Sequence, residues 1–299
     1  MTQLPVVPLV VISPVRDEAQ FVRNTLDAML AQTVRPQEWL FVDDGSRDDT
    51  RAVVESYAGV HPWIHVISRG DRGFRQLGSG VIAAFNFGRE NLKRQDYRYI
   101  AKLDGDMSFP PTYLETMLLK LESDPQLAAV SGKVFRPEKS GLVEEFMIDE
   151  MVAGQFKLYK RNAFDDIGGF TQTILWDGID IHRCRMKGYK TLSFYDPGAR
   201  LIHHRLMGSS DANVFKGRMR LGRGLWFMGY HPLYAVASGL FRMREQPYRL
   251  GGMIMIMGFA LAALRREPKF DDPQFIRELR RWQLQQLQQR IGRVLRPTR

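Results

Sequence analysis

The chain has 299 residues, 44% hydrophobic and 25% charged, which excludes wholesale disorder and leaves ample length to bury a core. Its net charge of +10 suits anionic partners: nucleic acid, an anionic membrane surface or a polyphosphate substrate. A single cysteine, Cys184, excludes a disulfide framework and a thiolate metal cluster, and a reducing cytosol is the simplest compartment.

The amino-terminal stretch MTQLPVVPLVVISPVRDE lacks a basic leader region, and its short β-branched run reads as a strand over 6–12. The loop Ser13-Pro14-Val15-Arg16-Asp17-Glu18 follows, then a helix over 19–32 from the spacing of Phe21, Val22, Leu26, Met29 and Leu30. A second strand over 37–42 ends in DDGSRDDT, where Asp48 or Asp49 begins a helix over 51–58. Residues 63–68 predict a third strand, 80–92 a helix and 97–103 a fourth strand. Strands alternating with helices imply a parallel sheet of βαβ units, so the acids Asp43/Asp44 and Asp104/Asp106 share one rim of it.

The fourth strand ends in YIAKLDGDMSF. Two aspartates one residue apart, with Gly105 between them to let the backbone turn and approach a ligand, can converge on one Mg²⁺ or Mn²⁺ ion and the phosphates it carries. A solvated Asp-Gly turn is the plainer reading of those three residues taken alone. Further on, 112–121 predicts a helix, 128–134 a strand, 136–151 a loop, 155–159 a strand and 162–167 a short helix. A helix running to Lys187 and strands over 190–196 and 199–203 complete the first 212 residues.

Beyond residue 213 lie two apolar stretches, 225–241 and 250–264, both flanked by Arg and both shorter than the roughly 20 apolar residues of a spanning helix. Three accounts stand: a buried helical subdomain, an interfacial helix pair on the membrane anchored by Trp226, Phe227 and Tyr230, or a transmembrane hairpin. The tail 273–299 predicts a basic, Gln-rich amphipathic helix.

Together these motifs resemble the family 2 glycosyltransferases, inverting enzymes of GT-A fold: a Rossmann-like, mixed but mostly parallel sheet, here with a helical carboxyl-terminal extension. The resemblance covers about residues 9–204 and implies a GT-A domain over 1–212, with a nucleotide half, 1–110, and an acceptor half, 111–212. ISPVRDE resembles the family's first-strand motif, DDGSRDDT its second, Asp104-Gly105-Asp106 its Asp-x-Asp metal motif, and Asp177 its catalytic aspartate. It implies that Pro14, Arg16, Glu18, Asp44, Arg75 and Asp104 bind the nucleotide, with Asp44 accepting from a uracil N3–H and Glu18 near the ribose. Arg16 stands where the family usually has tyrosine; a guanidinium can stack on a base in its place. The resemblance also implies Asp106 and a histidine, His203 or His204, on Mn²⁺ or Mg²⁺. Arg69, Arg72 and Arg75 lie in a glycine-rich loop suited to phosphates, or else simply solvated.

Asp177 is the expected general base and Asp180 its competitor. Trp176 replaces the family's usual acidic residue and is expected, with Asp180, on the acceptor side, stacking on a sugar. No Gln-x-x-Arg-Trp motif of the processive members is present, so transfer of a single sugar is expected. The expected partners are a nucleotide-sugar donor, a saccharide or lipid-linked acceptor and a membrane surface at the cytosolic face. Nucleic acid is not expected, because no helix-turn-helix, zinc or stacking module accompanies the charge. A sugar-phosphate nucleotidyltransferase is the rival enzyme, disfavoured because the first loop lacks glycine; a non-enzymatic nucleotide-binding membrane adaptor is the other rival.

Overall fold

The computed structural model describes residues 5–70, 78–138, 141–205, 214–244 and 248–295. They fall into two compact units, Met1–Leu206 and Met207–Arg299.

The first unit runs β1 (Val6–Val15), α1 (Val22–Leu30), β2 (Arg35–Asp43), α2 (Thr50–Ala58), β3 (Ile64–Ser68), α3 (Ser79–Glu90), β4 (Tyr99–Leu103), β5 (Met107–Ser108) and α4 (Tyr113–Glu122). It continues through β6 (Leu127–Gly132), β7 (Val134–Glu138), β8 (Gly141–Glu144), β9 (Phe156–Lys160), α5 (Arg161–Asp166), α6 (Trp176–Met186), β10 (Lys190–Phe194) and β11 (Leu201–His203). Seven strands form one sheet in the order β10-β6-β9-β4-β1-β2-β3, parallel except for β9, which pairs antiparallel with both neighbours. β1 is buried on both faces, as a central strand covered by helices must be. Leu9 and Val11 pack with Leu26 and Met29 of α1, whereas Val10 and Ile12 pack with Ile82 and Phe85 of α3. Each such side chain contributes about 1.5–3 kcal/mol by leaving water.

A second sheet, β5-β11-β7-β8, is where the sequence expectation fails. The predicted strand over 128–134 divides between the two sheets at Lys133, and the predicted loop over 136–151 contains most of β7 and all of β8. The predicted strand over 199–203 begins only at Leu201, after a 3₁₀ turn at Pro197–Ala199. A one-face polar hairpin such as β7–β8 carries too few apolar residues to register as period-two alternation.

What positions the site is the order of the parallel strands. The chain leaves β1 toward β2 and β3 on one side, then returns to lay β4 on the other. The loops after β1 and β4 therefore lie side by side at the carboxyl rim, where ligands of open α/β sheets sit.

The second unit is helical: α7 (Val214–Phe227), α8 (Pro232–Arg242), α9 (Leu250–Leu264) and α10 (Pro273–Leu295). The apolar stretch 225–241 is not one helix, because the chain turns at Gly229 and Pro232 starts α8 anew. Among the described residues no helix is long and apolar enough to cross a membrane. Two of the three aromatic anchors expected at an interface are engaged within the unit. Trp226 packs edge-on to Phe259 and donates Nε1–H to the Glu267 carbonyl at 2.8 Å, and Phe227 lies against Phe270.

Candidate active site

The loops after β1 and β2 are bound to each other along their length. Asp17 N–H donates to Ser46 Oγ (3.0 Å), Arg47 N–H to Asp17 Oδ1 (2.8 Å), Glu18 N–H to Thr50 Oγ1 (2.7 Å) and Ala19 N–H to Asp48 Oδ2 (3.0 Å). These bonds hold Asp17 at a φ of 55°, a left-handed conformation uncommon for a side-chain-bearing residue. Pro14 lies opposite Val42 in the ladder, Arg16 Nη1 donates to the Asp44 carbonyl at 2.8 Å, and Arg69 Nη1 stands 3.4 Å from Asp44 Oδ1. Pro14, Arg16, Glu18 and Asp44 thus share one end of the sheet. Arg75, with Arg72, lies outside the described residues.

The Asp104-Gly105-Asp106 turn presses directly on this loop. A Cβ on Gly105 would come within 2.9 Å of Val15 Cγ1, so only glycine allows the approach. Asp104 N–H donates to the Gln155 carbonyl at 2.8 Å, and its carboxylate accepts from the buried ammonium of Lys102. Burial raises the Asp104 carboxyl above its ordinary value and the Asp106 charge adds to this, with Lys102 offsetting part of it.

Asp106 is held by the small second sheet. β11 pairs antiparallel with β5, His203 opposite Met107, and His204 N–H donates to the Asp106 carbonyl at 2.9 Å. Alternation then sends the two histidines apart. His203 Nε2 stands 3.4 Å from Asp106 Oδ2 and its Nδ1 3.3 Å from Glu145 Oε1, whereas His204 turns to Ser108 Oγ (2.9 Å) and stacks on Phe21. Of the two alternatives, His203 is therefore the histidine beside the acidic motif, and the His204 side chain lies away from it. Burial alone would lower the His203 pKa, but its bonds to Asp106 and Glu145 win and raise it to about 10. Burial alone would likewise raise Asp106, yet the hydrogen bond from His203 and the charges of His203 and Arg205 hold it below its ordinary value. Arg205 bridges the two loops, Nη2 on Glu18 Oε2 at 2.5 Å and Nε 3.5 Å from Asp106 Oδ2.

Asp106 Oδ1 is buried with no hydrogen-bond partner. A lone buried carboxylate oxygen beside an imidazole is a fitting donor set for Mn²⁺ or Mg²⁺. Among the described residues no three acidic or histidine side chains form a ready-made cage. That agrees with an ion held by one or two protein ligands together with substrate phosphates.

Asp177 enters from the other half of the unit. Leu175, at a φ of 56°, turns the chain sharply into α6, and Asp177 lies in the first turn. Asp177 Oδ2 would lie 3.5 Å from a Cβ on Gly154. The Gly154 carbonyl accepts from Lys102 Nζ at 2.7 Å, and the same ammonium serves Asp104. Asp177 and the Asp-Gly-Asp turn are therefore neighbours through Gly154 and Lys102. Asp180 and Trp176 do not join them. Asp180 is fully buried, accepting from Lys157 Nζ (2.6 Å) and Tyr159 Oη (2.7 Å), which removes it as a competing base or acceptor contact. Trp176 is 8% exposed, packed on Phe170 with the ammoniums of Lys102 and Lys157 5.2 and 5.0 Å from its ring, so it has no open face for a sugar.

Sequence reasoning missed Glu145, Lys102, Lys157 and Arg205. Lys102 and Lys157 had a visible signal, a lysine inside an otherwise apolar strand; they lie directly opposite each other in the β4–β9 ladder. Glu145 had none, since it sits in the segment read as a loop.

Residues 10–176 match the family model described as Glycosyl transferase family 2. The chain is 23% identical over 228 residues to poly-beta-1,6-N-acetyl-D-glucosamine synthase of Staphylococcus aureus, covering 70% of this chain and 52% of that protein. It thus spans about half the length of the curated relatives it matches. Among solved structures, it is similar in fold to the mannosyltransferase PcManGT from Pyrobaculum calidifontis in complex with GDP-Man and Mn²⁺ (TM-score 0.52, 17% identity, 99% of this chain and 82% of that one). It is also similar in fold to S. aureus TarS 1–349 in complex with UDP-GlcNAc (TM-score 0.53, 14% identity, 72% and 64%).

Proposed function

The chain belongs to glycosyl transferase family 2 and is a glycosyltransferase of GT-A fold, and on that premise we propose that it transfers one sugar, with inversion, from a UDP-sugar to a hydroxyl of a saccharide acceptor. The observation that carries this reading is Asp177 beside Gly154, whose carbonyl shares the Lys102 ammonium with Asp104. A base is thereby brought to the acids that face the donor.

In this reading Asp44 accepts from the base, with Pro14 and Arg16 shaping its seat, and Glu18 and Asp104 face the ribose. Arg16 serves by fixing the loop after β2 through the Asp44 carbonyl. Asp106 and His203 would hold a divalent ion, which when bound would offset charge on the leaving diphosphate. Asp177 takes the proton of the acceptor hydroxyl as that oxygen forms its bond to the anomeric carbon from the face opposite the diphosphate. The bond from the anomeric carbon to the phosphate oxygen breaks, and its electron pair leaves with UDP. The proton ends on Asp177 and the anomeric configuration inverts.

A relative that is a poly-N-acetylglucosamine synthase and a structural neighbour holding UDP-GlcNAc support UDP and an N-acetylhexosamine over GDP, which another neighbour carries. The same relative supports a role in polysaccharide synthesis; that the acceptor is carried on a lipid at the cytosolic face of a membrane is part of the proposal and rests on the basic, apolar carboxyl-terminal third. The test is nucleotide release with UDP-sugars and Mn²⁺ or Mg²⁺. Asp177→Asn is expected to lower kcat by about 10²–10⁴-fold while leaving the UDP-induced thermal shift intact. Undiminished turnover in that variant would remove Asp177 from the mechanism.

A further inference from the structure

The charge of this chain is not spread over it. Met1–Leu206 holds 26 Lys and Arg against 27 Asp and Glu, whereas Met207–Arg299 holds 17 against 6. The whole excess, +11, belongs to the helical unit.

That same unit leaves apolar surface uncovered on two adjacent helices. On α8 the exposed residues are Pro232, Leu233, Val236, Leu240 and Phe241; on α9 they are Leu250, Met253, Met257, Ala260 and Leu264. Every exposed position on both helices is apolar. Leu264 is 80% and Leu233 63% exposed. α10 is the internal control: its exposed positions include Gln274, Arg277, Arg281, Gln285 and Gln288, an ordinary solvated face.

Spacing and packing place both apolar stripes on one side. Leu233, Val236 and Leu240 follow helical spacing, as do Leu250, Met253, Met257 and Leu264. The helices run antiparallel in close contact, Met243 against Gly252 and Gly239 against Ile256; a Cβ on Gly252 would meet the Gly239 carbonyl at 2.1 Å. In an antiparallel pair, stripes offset in the same rotational sense from the contact line face the same way, and here both lie on the carboxyl-terminal side of the contact glycine's turn. α9 is apolar all round, with α7 and α8 covering only part of it. Its 15 residues reach about 22 Å, short of a hydrocarbon core of about 30 Å. Arg249 stands at one end and Arg265 and Arg266 at the other, all exposed.

We propose that the α8–α9 face docks on an anionic phospholipid surface, both helices lying in the membrane plane. The apolar stripes enter the acyl boundary, and the arginines at the ends of α9 meet lipid phosphates. A second copy of the chain is the poorer occupant, because pairing this face with itself brings two units of +11 together. The proposal deepens the membrane-side reading of the acceptor given above, but it needs neither the donor assignment nor Asp177.

The experiment is co-sedimentation of the full chain with phosphatidylcholine vesicles, with and without phosphatidylglycerol, at low and high salt. Strong binding to the anionic vesicles, weakened by salt, is expected. Leu240→Asp and, separately, Met253→Asp are expected to lower partitioning by about tenfold or more. Their melting temperature and UDP-induced shift should match the unsubstituted chain, since both side chains are exposed and in the helical unit; two separate positions guard against one of them misfolding. Equal binding to neutral vesicles, equal binding by folded variants, or a solution dimer dissolved by either substitution without vesicle binding would each overturn the proposal. Loss of nucleotide turnover with vesicle binding intact would instead count against the transferase mechanism alone.

Discussion

Two buried carboxylates of the first unit, Asp180 and Asp106, are surrounded in opposite ways. Below α6, Asp180 accepts from Lys157, Tyr159 and the Ile181 N–H, and Lys157 also donates to the Asp177 carbonyl at 2.9 Å. At the rim, Asp106 shares one oxygen between His203 and Arg205 and leaves the other buried without a partner. A satisfied buried charge fixes a shape; an unsatisfied one costs stability and is expected where a ligand completes it. The first region is built to hold α6 in place, and the second to receive something.

The largest effect is expected at the satisfied site. Lys157→Met leaves Asp180 charged and buried beside a phenol, and is expected to cost about 3–5 kcal/mol in urea unfolding. Adding Asp180→Leu should recover most of that loss, since replacing both partners removes the stranded charge. A double variant no more stable than the single would mean that the pair is not what stabilises α6.

At the unsatisfied site the prediction reverses. Asp106→Ala should cost the ligand-free chain less than Lys157→Met does, because His203 keeps Glu145 and Arg205 keeps Glu18 as partners. The same substitution should abolish the metal-dependent stabilisation by UDP, about 2.7 kcal/mol at a hundredfold excess over Kd. Retention of a UDP shift that still requires Mn²⁺ would show that the ion is held elsewhere.

This contrast also explains what could be read in the sequence. Asp44, Asp104 and Asp106 were legible because each ends an apolar run, so local pattern alone puts them on one rim. Asp177 was legible only through the order of motifs. The choice between His203 and His204 needed the β5–β11 register, and β5 is only two residues long. Trp176 was misjudged because nothing local reveals that Lys102 and Lys157, 55 residues apart, meet across β4 and β9 and close over its ring. Parallel βαβ structure follows from periodicity; the antiparallel insertion that builds the floor of the site is a non-local pairing, and periodicity does not carry it.

A smaller effect is expected at Glu145. It is buried against His203 Nδ1, where it fixes the ring so that Nε2 points at Asp106. Glu145→Gln keeps the volume and can still accept a hydrogen bond, but loses the charge. We expect Mn²⁺ affinity, followed by electron paramagnetic resonance with UDP present, to fall about 10–100-fold. An unchanged affinity would leave Glu145 a packing residue.

The smallest effect is a slope with pH, and its sign follows from His203. With its pKa raised to about 10, the ring is protonated near neutrality and donates from both nitrogens to Asp106 and Glu145. In the metal-free chain this contributes stability that is fully present below the unfolded value of about 6.5 and lost as pH climbs through about 10. Binding an ion requires the Nε2 proton to leave, so one proton is released per ion between those limits. Mn²⁺ affinity should therefore rise about tenfold per pH unit from 6.5 to 8.5, about 1.4 kcal/mol each, over the range in which the metal-free chain loses stability. Replacing His203 by Gln should flatten both slopes together. If only one flattened, the proton that stabilises the metal-free rim and the proton displaced by the ion would be on different groups, and His203 would not be the ligand.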